Sequence, residues 1–102
     1  MNKSSSQVGK IVDMKMRKFK KYVRNQPLGV CCNMRNMLQS SYAFLVNQKD
    51  SVLATMQNLD EGSEEYKEYR DNVHGIYSLM QKIEDKSVFL NDHIKEVMDS
   101  RE

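Results

Sequence analysis

SEEYKEYRDNVHGIYSLMQKIEDKSVFLNDHIKEVMDS, from Ser63 to Ser100, decides the fold of this chain. Steps of three and four residues from Tyr66 land on Tyr69, Val73, Ile76, Met80, Ile83, Ser87, Leu90, Ile94 and Val97. Only Ser87 among these is neither apolar nor aromatic. A 3-4 alternation held for so long is the seam of one long helix, because a strand repeats every second residue instead. So narrow a stripe has to be covered by another helix.

The start of this helix is marked. Ser63 suits an N-cap, and Glu64 and Glu65 follow in the positive first turn. Gly62 suits a left-handed cap on whatever helix precedes it. Gly75 lies inside the long helix and weakens it by about 1 kcal/mol relative to Ala.

Upstream, Cys31, Leu38, Leu45, Val52 and Leu59 recur at intervals of seven, widened by Met34, Tyr42, Leu53 and Met56 and interrupted by Ser41 and Lys49. This predicts a second helix over 28–59. The connection Asp60-Glu61-Gly62 is short, so the two helices must run antiparallel. Pairing outward from the turn sets Leu59 by Tyr66, Leu45 by Met80 and Cys31 by Ile94.

Before Pro27 the pattern changes. Val8, Val12, Met16, Phe19 and Val23 form a stripe, with Ile11 and Tyr22 beside it. Lys10, Arg17, Lys20, Lys21 and Arg24 occupy the other side, with Lys15 and Lys18 at its margins. The result is an amphipathic helix over 8–25 with a cationic face. Pro27 moves Gln26 out of helical backbone and can occupy the first turn of the next helix. Residues 1–7 are polar, with Ser4, Ser5 and Ser6, and read as a frayed tail able to supply a cap. The expected architecture is therefore all-α: a long antiparallel, coiled-coil-like helical hairpin preceded by a basic amphipathic helix. Residues 8–102 form one domain, with helices over 8–25, 28–59 and 63–100. Two helices do not cover both stripes, so a homodimer is expected.

Composition agrees with this. Apolar residues make up 39% of the 102, which suits a thin, elongated core. No run approaches the ~20 apolar residues of a membrane span, and no apolar leader follows the polar N-terminus. Cys31 and Cys32 are adjacent, a poor geometry for a disulfide within a helix. A reducing, cytoplasmic setting is the expectation. Abundant Lys, Asn and Met with little Ala suits an AT-rich genome such as a viral one, which would place the protein in a host cytoplasm.

Net charge is +2, but it divides unevenly. Residues 1–35 carry +8 and residues 36–102 carry −6. A basic element on an acidic body points to an anionic partner. The candidate binding residues are Lys15, Arg17, Lys18, Phe19, Lys20, Lys21, Tyr22 and Arg24. The cations could follow phosphates, and Phe19 and Tyr22 could stack on unpaired bases. The leading expectation is a nucleic-acid-binding accessory or regulatory protein, plausibly on single-stranded DNA or RNA, whose acidic hairpin makes protein contacts. The alternative is an adaptor or inhibitor that grips an acidic protein surface without nucleic acid. Plainer readings place both aromatics in the stripe and leave the lysines solvated or paired with Glu64, Glu65, Glu68 and Asp71. A bilayer surface fits less well, since there is no Trp and no Leu-rich face.

No catalytic constellation is visible. His74 and His93 lie about five turns apart on one helix and cannot share a metal. Cys31, Cys32 and His93 fall short of the four ligands of a structural zinc site, and neighbouring helical residues diverge by about 100°. Glu64/Glu65 and Glu84/Asp85 sit on solvent-facing positions. The chain is expected to be no enzyme, with no cofactor, metal or small-molecule substrate. Phe89 is the remaining oddity: an aromatic on the back of the long helix among Lys82, Asp85, Lys86, Asp92 and Glu96, where the first helix or another protein could dock.

Overall fold

The computed structural model describes residues 9–101. It is helical, with no strand among the described residues. Among the described residues four helices follow in order: α1 over residues 9–13, α2 at Met16–Arg24, α3 at Leu28–Met56 and α4 at Glu64–Ser100. The expected tail, its serines and Val8 lie outside the described residues.

α3 and α4 form the expected antiparallel hairpin and make the main packing contact of the molecule. At 1.5 Å per residue, the 37 residues of α4 span about 55 Å. The whole molecule measures 58 × 28 × 23 Å, so α4 sets its length. Every position of the α4 seam is buried or half-buried, and Leu90 is fully enclosed. Ser63 caps α4 by accepting a hydrogen bond from the Tyr66 amide at 3.1 Å.

The turn itself departs from expectation. No glycine takes positive φ, so Gly62 is not a left-handed cap. Asp60 organises the turn instead. Its carboxylate accepts from the Gly62 amide at 3.3 Å and its carbonyl accepts from the Ser63 hydroxyl at 2.7 Å. The second helix also stops at Met56 rather than at residue 59. The amides of Asn58 and Leu59 bond to Thr55 and Met56, three residues back, which winds this end tighter than an α-helix.

The helix expected over 8–25 is broken. Lys15 is extended, with ψ 145°, and stands at the N-cap of α2, while the Met14 amide turns back to the Ile11 carbonyl. The break lets two short apolar faces reach the hairpin separately: Ile11 and Val12 from α1, Phe19 and Val23 from α2. Pro27 stands at the N-cap of α3, one position before its first turn.

This first limb folds onto only one end of the hairpin. There Phe19, Val23, Cys31, Leu38, Ile83 and Leu90 form one continuous core. Burying each such aliphatic or aromatic side chain contributes roughly 1.5–3 kcal/mol. Towards the turn, Val73, Ile76 and Met80 are covered by α3 without a third helix, and no residue of α3 beyond Leu38 is fully buried.

Candidate functional site

α2 is built in the wrong electrostatic order at its start. Lys15 is the N-cap, Arg17 and Lys18 follow, and the first turn holds no acid. Cations at the positive end of a helix dipole each oppose it by about 0.3–1 kcal/mol. The last turn, with Lys21 and Arg24, has the favourable sign. Phe19 and Val23 on the opposite side bind α2 to the hairpin and aim the cations outward.

Lys15, Arg17, Lys18, Lys21 and Arg24 are exposed and Lys20 is half-buried. None of the six forms an ion pair with a described carboxylate. Among the described residues the ion pairs are Lys49–Asp50 at 3.1 Å and Lys67–Glu64 at 3.7 Å. Glu64 to Asp71 lie at the turn end, about 22 Å or more along α4 from the Lys86–Phe89 region where α2 sits.

The aromatics separate. Phe19 is fully buried and meets the Phe89 ring edge-on at 6.1 Å. It is a core residue, not a platform for a base, because its ring is the main apolar anchor of α2. Tyr22 is 38% exposed at the edge of the cationic face and remains available. Phe89 is where the first limb docks: the Lys20 ammonium and the Arg24 guanidinium each lie 5.5 Å from its ring centre. His93 stacks against the same ring at 6.2 Å. Two of the six cations are thus held in place by an aromatic from another helix.

Lys86, named in the sequence only among the charged residues around Phe89, belongs to this site. It is 3% exposed, and its ammonium lies 5.8 Å from the centre of the Phe19 ring. Burial lowers its pKa, the Lys82 charge adds to this, and Asp85 and Asp13 act in the opposite sense. Helical spacing carried the signal: Lys86 is three residues after Ile83 and four before Leu90, within the stripe.

Cys31 is buried beneath the α2–α3 connection, its thiol directed at the Val23 carbonyl at 3.7 Å. Burial and the neighbouring Cys32 raise its pKa, the opposite of an activated thiol. Among the described residues, no three His, Cys, Asp or Glu side chains come together in a way that could hold a metal ion. No described helix is long and apolar enough to cross a membrane. Comparison with protein-family models, curated proteins and solved structures finds no match.

Proposed function

We propose that this chain is a small non-enzymatic accessory protein that binds nucleic acid through the cationic face of α2. The observation that carries the reading is the set of six cations on this short limb, none paired with a described carboxylate. Phosphates lying along α2 would neutralise Lys15, Arg17 and Lys18 at the end where the dipole makes these charges unfavourable. Lys20 and Arg24 are already ordered over Phe89, which reduces the entropy lost when they engage. With Phe19 in the core, Tyr22 is the one aromatic of the predicted set left for stacking. The mode this favours is therefore backbone contact rather than base recognition.

The test is a titration of single-stranded and duplex oligonucleotides at two salt concentrations. Lys15 to Arg24 spans about 13 Å, enough for roughly four phosphates of one strand at about 3.4 Å each, so the log-log salt slope on duplex should be about −3.6. Combining Arg17→Glu, Lys18→Glu and Lys21→Glu, all at exposed positions, should abolish binding while leaving the helical circular dichroism unchanged. Absence of binding by the wild-type protein at ~50 mM salt would sink the reading and leave the acidic-protein adaptor in its place.

A further inference from the structure

The outer face of α3 presents a run of uncharged side chains to solvent. Asn33, Met37, Ser40, Phe44, Asn47 and Ser51 follow a strict 4-3 spacing, and all are exposed except the half-buried Met37. The helical face they define carries no charge, although 29% of the chain is charged. Phe44 stands out from it, 62% exposed. Phe44 also forms one wall of an open groove of about 740 Å³ between α1, α3 and α4, lined further by Val12, Met37, Leu45, Leu79 and Ile83. Asp13 at its rim is the single charged residue of the lining.

We propose that this face is the interface of a homodimer, in which α3 pairs antiparallel with α3 of a second copy and each Phe44 enters the groove of the other.

Three features select a second copy as the occupant. A twofold contact sets a patch against the same patch of the other copy, so a face of a single charge sign, such as the cationic face of α2, repels itself, whereas an uncharged face does not. Knob and hole also lie on the same surface, as a self-complementary contact requires. Finally, setting Phe44 of one copy against Ser40 of the other puts the twofold axis beside position 42. That is the midpoint of Leu28–Met56, so all 29 residues of α3 overlap. In this register Asn33 meets Ser51 and Met37 meets Asn47. The small side chains Ser40 and Ser51 allow the close approach of a packed helix pair. The footprint is about 44 Å by 10 Å. The groove walls extend it towards the ~800 Å² per partner of a standard interface.

This inference does not rest on the nucleic-acid reading and is tested without nucleic acid. Sedimentation equilibrium from about 1 to 100 μM should show a reversible dimer of the wild-type chain. Phe44→Glu should halve the mass at the upper concentrations with unchanged circular dichroism. Ser51→Glu, at an exposed position outside the groove, should weaken the dimer and covers the case in which the Phe44 variant folds poorly. Val88→Glu, at a 58% exposed position on α4, should leave the dimer intact. A wild-type chain that stays monomeric throughout overturns the proposal. A dimer that survives both α3 variants, or one that Val88→Glu dissociates equally, overturns it as well.

Discussion

Lys86 is the residue whose environment most contradicts its chemistry. Its stem is packed under α2 and its ammonium has no described ion-pair partner, so the folded state bears a desolvation penalty. Lys86→Met keeps the stem and removes the charge, and should stabilise the protein at neutral pH by about 1 kcal/mol in urea unfolding. The pH dependence has a definite sign. The folded pKa lies below the ordinary 10.5, so between the two values the unfolded chain holds a proton that the folded one has lost. Stability therefore rises with pH across that window, and the advantage of Lys86→Met shrinks towards and beyond pH 10.5. Cys31 acts in the opposite sense. Its thiol is raised above 9.0 in the fold, so its contribution is lost as pH climbs past 9.0. That loss is common to both proteins and cancels in their difference. An advantage that grew with pH would refute this account of Lys86.

Among the elements, α4 was the most legible and the first limb the least. The α4 seam is a matter of spacing alone, and Ser63 is a local cap, so both could be read from neighbouring residues. The break at Met14-Lys15 has no such signal. There is neither Pro nor Gly between Lys10 and Gln26, and the apolar stripe runs through the break in phase. What decides it is tertiary: two short faces fit the hairpin where one straight helix was expected. The same reason removed Phe19 from the binding surface, since sequence gives the periodicity of a stripe but not which aromatic in it becomes the anchor. The turn was misread differently, by giving Gly62 the work that the Asp60 side chain performs. Gly75 lies inside α4, as expected, and a Cβ there would meet nothing within 4 Å. Gly75→Ala should raise stability by about 0.5–1 kcal/mol, seen as an upward shift of the thermal midpoint. A drop in the midpoint would mean that the open space beside Gly75 is occupied in solution.

For the whole molecule, charge and core are both unevenly distributed. Cationic side chains gather on α2, uncharged ones on the outer face of α3, and the deepest burial lies where α1 and α2 cover the hairpin. The chain thus has two separate surfaces of different chemistry beside one buried core, and the variants above address the two surfaces independently. The covered end also has a kinetic consequence. Opening the helices near the turn breaks only two-helix contacts, whereas opening them near Leu38 and Leu90 requires the first limb to leave. Amide hydrogen exchange should accordingly be graded along the rod, with residues 46–72 exchanging through local fraying and residues 31–38 and 83–94 only through global unfolding. Uniform protection along α4 would refute this. A rod anchored at one end behaves as a clamp with a fixed jaw and a compliant one, and the proposed phosphate contacts are mounted on the fixed jaw.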